Sequence, residues 1–263
     1  MTDKKLKILI SNDDSIYSRG IKCLVEIAKQ FGEVTVVAPN RPQSAKGHSI
    51  TLTEPLRLKK KDLFGPDVVA YACSGTPVDC IKIAMDKILD EKPDLCLSGI
   101  NHGSNASINV VYSGTMGAAM EAAIDGVPSI GFSDVNYDEE GDLSVCKKYA
   151  PVIIEQFLKF DNTKSRLINV NFPSIDVGEI KGIKICRQSI AMWKEDFQEK
   201  EDPYGGKYYW LLGQFKSDDI GEGTDVHAIK NGFISVVPVK FDLTSHEDID
   251  YLNKEWNINE KVG

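Results

Sequence analysis

The chain has 263 residues, 42% hydrophobic and 27% charged, the balance of a folded globular protein with room for a sizeable core rather than of a disordered or fibrous one. A formal net charge of −8 argues against the broad basic face that binding duplex nucleic acid requires. No apolar run is long enough to span a membrane, and the opening MTDKKLKILISNDD has too short an apolar stretch for a signal peptide, so a cytoplasmic setting is expected.

Residues 6 to 12 read as a strand that ends in Asn12 and two adjacent carboxylates, Asp13 and Asp14. GIKCLVEIAKQFG then places apolar residues at 21, 24, 25, 27 and 28, the spacing of an amphipathic helix, with Gly32 as its stop. EVTVVAP is the next strand. RPQSAKGHSITLTEPLRLKKKD is polar and turn-rich, then extended, as a functional loop leading into a hairpin would be. After VVAYACSGTP, the segment VDCIKIAMDKILDEK is helical by its apolar spacing. PDLCLSGIN repeats the opening pattern of an apolar strand with a small, polar end. SGTMGAAMEAAIDG is a further helix and VPSIGFS a further strand.

In the second half, SVCKKYAPVIIEQFLKF is a long amphipathic helix and RLINVNFP a strand. Residues 187 to 215 carry two of the three tryptophans and a Pro/Gly turn, which suggests a protruding hairpin, packed on a partner subunit or folded back on its own domain. Alternating strands and helices point to an α/β fold, a Rossmann-like, mostly parallel sheet flanked by helices. The six cysteines show no C-x-x-C pair, so a zinc ribbon or disulfide framework is not expected and they read as buried thiols.

Four polar loops follow successive strands: NDDS at 12 to 15, NRPQSAKGHS at 40 to 49, SGTP at 74 to 77, and SGINHGSN at 98 to 105 with YSGT behind it. In open parallel sheets such loops meet in one crevice. Their carboxylates, hydroxyls and amides are hard oxygen ligands suited to Mg²⁺, Mn²⁺ or Ca²⁺ rather than zinc. Ser113, Gly114 and Thr115 open a strong helix, where backbone N–H groups and the helix dipole can hold a phosphate. Each feature also has a plainer reading. Asp13 or Asp14 could cap a helix, Ser113 and Thr115 are common N-caps, Ser44 could be a loop hydroxyl, Asn101 and Asn105 could be turn residues, and His48 and His102 could be solvated.

ILISNDDS, VVAPNRPQSAKGHSIT, CSGTPVDC, PDLCLSGINHGSN and VYSGTMGAAMEAAIDGVPSIGFS together span most of residues 6 to 133. In this order they resemble the SurE survival protein family of metal-dependent 5'/3'-nucleotidases, with weaker similarity through TDVHAIKNGFISVVPVKFDLTSH. The resemblance implies one divalent cation per subunit, Mg²⁺ or Mn²⁺, held by Asp13, Asp14, Ser44 and Asn101. It implies phosphate binding at Ser113, Gly114 and Thr115, with Asn105 lining the site. It further implies hydrolysis of nucleoside monophosphates by a homodimer or tetramer, with Asp13, Asp14 and Asn101 catalytic; sequence leaves water or an aspartate as the nucleophile, and water is preferred because a carboxylate engaged with a metal is a blunted nucleophile. On this reading residues 1 to 263 are a single domain. Residues 1 to 135 hold the core and site, 187 to 215 mediate oligomer contact, and 225 to 263, which include Asp242 and His246, are exchanged between subunits. Ser15 stands where the family usually has glycine and His102 where the family varies, so analogy assigns His102 no role. The competing classes are a non-catalytic nucleotide-binding module and a serine hydrolase built on Ser113; the latter lacks a G-x-S-x-G elbow.

Overall fold

In a computed structural model, which describes residues 5–159 and 166–256, the strand patterns become a nine-stranded sheet. Its first strand, β1 (Leu6–Ser11), pairs in parallel with β2 (Gly32–Pro39) on one side and β5 (Leu95–His102) on the other. Beyond β2 lies β4 (Val68–Cys73), parallel, and at the edge β3 (Leu58–Lys61), antiparallel to β4, which is the hairpin expected after the long polar loop. Beyond β5 lie β6 (Ser129–Asp134) and β7 (Leu167–Phe172), both parallel. The sheet then continues through β11 (Phe233–Pro238), antiparallel to β7, to β8 (Gly182–Ile185).

The centre of this sheet is buried on both faces, which is why its strands are continuous apolar runs rather than alternating ones. Ile8 and Ile10 pack into one core with α1 (Arg19–Ala28) and α5 (Ser144–Leu158), while Leu9 packs into a second core with α2 (Pro77–Ile83) and α4 (Gly114–Ile124). The five apolar positions read from the α1 sequence, 21, 24, 25, 27 and 28, are all buried. Gly32 does not stop that helix. It begins β2, where a Cβ would stand 2.0 Å from the Leu6 carbonyl oxygen, so the glycine serves close strand pairing and the helix has already ended at Ala28.

The helix read through residues 78 to 92 is likewise shorter. Thr76 caps it in a reciprocal box with Asp79, and beyond Ile83 it widens into a π-type turn over Ala84–Ile88. Residue 160, the last of the α5 reading, lies outside the described residues. The strands β8 and β11 and the helices α3 (Asn109–Tyr112), α6 (Asp225–Lys230) and α7 (His246–Glu255), the last with no buried residue, were not read from the sequence. The 187 to 215 hairpin is present as β9 (Ala191–Glu201) and β10 (Lys207–Ser217), a separate two-stranded antiparallel sheet with mostly exposed side chains. All six cysteines are free and buried. Among the described residues no helix is long and apolar enough to cross a membrane.

Candidate active site

From β1 the chain runs to β2 and β4 on one side, then returns to start β5, β6 and β7 on the other. Strand order therefore reverses between β1 and β5, and ligands of open α/β sheets bind at the carboxyl ends of strands flanking such a point. Asp13 and Asp14 follow β1, and Asn101 is the last residue but one of β5.

The turn after β1 is held by Asn12, whose side-chain amide donates to the Ser15 carbonyl at 2.8 Å and the Ser18 hydroxyl at 2.9 Å. Ser15 has φ +92°, the left-handed turn expected where the family has glycine. The Asn12 Oδ1 is buried without a hydrogen-bond partner. Asp13 is 3% exposed. Its carboxylate accepts from the Thr115 hydroxyl, and the Gly114 and Thr115 backbone amides also favour its charge. Burial nevertheless dominates and raises its pKa. Asp14 is pushed up to about 7, first by burial and then by repulsion from Asp13. The His102 backbone N–H, 3.3 Å from Asp14 Oδ2, opposes that shift, and the His102 Nδ1 lies 3.0 Å from the same oxygen. Among the described residues no lysine or arginine forms an ion pair with either aspartate.

The 40 to 49 loop is sewn onto this turn. The Gln43 N–H donates to the Asp13 carbonyl at 2.7 Å, and the Gly47 N–H to the Tyr112 carbonyl at 2.9 Å. Ser44 is thereby brought, with Asp13, Asn101, Asn105 and Ser113, to one cavity of about 490 Å³. Asn101 donates its amide N–H to the Gly103 carbonyl at 2.7 Å, which leaves its own carbonyl oxygen for a ligand. Asn105 is set by buried partners: its backbone N–H donates to Asn171 Oδ1 at 2.9 Å and its side-chain amide to the Ser133 hydroxyl at 2.8 Å.

The helix-opening residues divide their work. The Ser113 hydroxyl accepts from the Met116 N–H at 3.0 Å, so the plain N-cap reading is correct for it, and Ser113 also faces the cavity. Gly114 and Thr115 are buried against Asp13; a Cβ at Gly114 would stand 2.8 Å from the Asp13 Cβ. The third of the four expected loops, 74 to 77, does not line the cavity, because Thr76 caps α2 and its hydroxyl donates to the Ser49 carbonyl at 2.7 Å. Sequence reasoning missed further residues that line the cavity: Tyr112, Tyr137, and Trp193, Glu195, Leu211 and Leu212 from the hairpin. The aromatic run had marked the hairpin as notable, while Tyr137, in a polar loop, gave no signal.

A family model described as survival protein SurE matches residues 8–195 of this chain. The chain belongs to the SurE family. A relative from Flavobacterium psychrophilum, named 5'-nucleotidase SurE, is 51% identical over 96% of this chain and 98% of its own length. Another of the same name, from Thermosipho melanesiensis, is 41% identical over 95% and 98%. The crystal structure of a SurE protein from Aquifex aeolicus superposes with a TM-score of 0.80 at 39% identity, covering 94% of this chain and 98% of that one. SurE relatives of both sequence and structure thus extend past the family model into the hairpin and the C-terminal strands.

Proposed function

We propose that this protein hydrolyses nucleoside 5'-monophosphates and, following the family resemblance, 3'-monophosphates, releasing nucleoside and inorganic phosphate with the help of one divalent cation, Mg²⁺ or Mn²⁺. The observation that carries this is the convergence of Asp13, Ser44, Asn101, Asn105 and Ser113 on one cavity at the strand-order reversal, with Asp14 beside it. Among the described residues no three His, Cys, Asp or Glu side chains form a metal cluster. The group that does assemble, two carboxylates, a hydroxyl and a carboxamide, fits a hard, oxygen-loving cation. Two raised carboxylates with no lysine or arginine partner among the described residues fit it as well.

Asp13, Asp14, Ser44 and Asn101 would hold the cation. What it supplies when bound is Lewis acidity toward a phosphoryl oxygen and toward water. Among the described residues lining the cavity there is no lysine or arginine, so the remaining phosphate charge falls to Ser113 at the helix start, while Gly114 and Thr115, expected to bind phosphate too, are turned to the Asp13 carboxylate and would act by holding it in place. Asn105 orients the phosphate from the other side. Water attacks phosphorus, the ester P–O bond breaks, and the nucleoside oxygen leaves with a proton. The hairpin and α7, both mostly exposed, support a homodimer or tetramer with an exchanged C-terminal segment. Asp242 and His246 pair there, Nε2 to Oδ2 at 2.7 Å.

The deciding measurement is phosphate release from a nucleoside monophosphate with Mn²⁺ or Mg²⁺, with and without EDTA. Turnover is expected with metal and lost with chelator. Asp13→Asn is expected to reduce it below detection while circular dichroism stays native. Metal-independent turnover, or full activity in Asp13→Asn, removes the proposed ligand set; binding without turnover leaves the non-catalytic module.

A further inference from the structure

The two aspartates after β1 are held by different means. Asp13 is gripped from α4, by the Thr115 hydroxyl and the Gly114 and Thr115 backbone amides. Asp14 depends on one residue. Among the described residues the hydrogen-bond donors to its carboxylate belong to His102 alone: the backbone N–H at 3.3 Å and the ring Nδ1 at 3.0 Å, both to Oδ2. The ring contact is the closer of the two, and beside a carboxylate Nδ1 is the nitrogen that donates. Asp14 Oδ1 has no hydrogen-bond partner among the described residues.

The ring is itself placed by the fold. His102 is the last residue of β5 and pairs in register with Asp134 on β6, with whose carboxylate it interacts electrostatically. The side chains of His102 and Asp14 are 16% and 12% exposed, and a hydrogen bond so sheltered from water counts for more than one at an open surface. The residue before it is Asn101, so one strand end delivers a candidate ligand and the donor that holds another.

We propose that His102 is a positioning residue for the cation site: its ring holds Asp14 Oδ2 and fixes the carboxylate so that Oδ1 is left to the metal. This rests on the ligand set of the nucleotidase reading above. A ligand already in place binds a cation more tightly than one that must first be ordered, and removing such an outer partner costs about 10–100-fold in metal affinity. The effect is on how tightly the cation is held, so saturating metal restores turnover.

The test measures Mn²⁺ binding to the metal-stripped whole chain, without substrate, by electron paramagnetic resonance of the free ion. His102→Leu, which removes the ring donor and keeps the backbone N–H, is expected to weaken binding about tenfold or more. His102→Asn, whose side-chain amide can donate in place of Nδ1, is expected to stay within about threefold of wild type. In phosphate release from adenosine 5'-monophosphate, the leucine variant is expected to need correspondingly more Mn²⁺ for half-maximal rate, with kcat and KM for the nucleotide unchanged at saturating Mn²⁺. His102→Ser gives the same comparison if the leucine variant fails to fold. Unchanged Mn²⁺ affinity in the folded variants, or an equal loss in the leucine and asparagine variants, overturns the positioning role and leaves the ligand set intact. A wild type that binds no Mn²⁺ overturns the ligand set and this inference together.

Discussion

Ser15 makes a turn that any side chain resists. Its φ of +92° belongs to a region that costs a non-glycine residue about 1–2 kcal/mol, and the chain offsets part of this locally. The Asn12 amide holds the Ser15 carbonyl, and the Ser15 hydroxyl accepts from the Tyr17 N–H at 3.3 Å. Glycine would relieve the strain but give the unfolded chain more freedom, a loss of about 0.4–1 kcal/mol. Ser15→Gly is therefore expected to stabilise by about 0.5–1 kcal/mol in urea unfolding. Ser15→Ala, which keeps the strain and loses the hydroxyl acceptor, is expected to be less stable than wild type. Equal stability of all three would show that the turn carries no net strain. The turn was legible in the sequence because adjacent carboxylates on a straight strand point to opposite faces and can share a cation only if the chain bends. Which groups would face them was not: the Thr115 hydroxyl reaches Asp13 across 102 residues.

Helix α1 is positioned against the site by a missing side chain. A Cβ at Gly20, in its first turn, would stand 1.9 Å from the Ile100 carbonyl oxygen on β5, the strand that delivers Asn101. Gly20→Ala must push α1 off β5 or distort that strand, and a loss of about 1–3 kcal/mol in unfolding free energy is expected. Gly221→Ala, where a Cβ meets nothing within 4 Å, serves as control and should stay within about 0.5 kcal/mol of wild type. An unchanged melting temperature in Gly20→Ala would mean the contact yields freely. Elements of the first half were legible because buried parallel strands and one-faced helices leave strong apolar periods. β8 was not, since it is short and half-buried at the sheet edge. Nor was α7, which buries no residue and leaves Ile249 and Tyr251 exposed.

At the scale of the whole molecule, the hairpin exposes Phe197, Tyr209, Trp210 and Leu211, each more than half accessible, and α7 adds Tyr251. An apolar surface of this kind supports the proposed subunit interface. Light scattering is expected to give a mass of two or four times the 29.1 kDa chain, and Trp210→Lys to lower it; a monomeric wild type would refute the proposed assembly. The sequence alone determined the α/β class, the succession of strands and helices in the first half of the chain, the acidic turn and the family resemblance. These follow from local spacing and from side-chain chemistry, which a linear reading preserves. Only the tertiary structure decided that the 74 to 77 loop supports α2 instead of lining the cavity, that His102 sits on Asp14, and that hairpin residues line the same cavity as Asp13. Those are contacts between segments tens of residues apart, and their partners are chosen by how the sheet reverses its strand order and where the hairpin comes to rest.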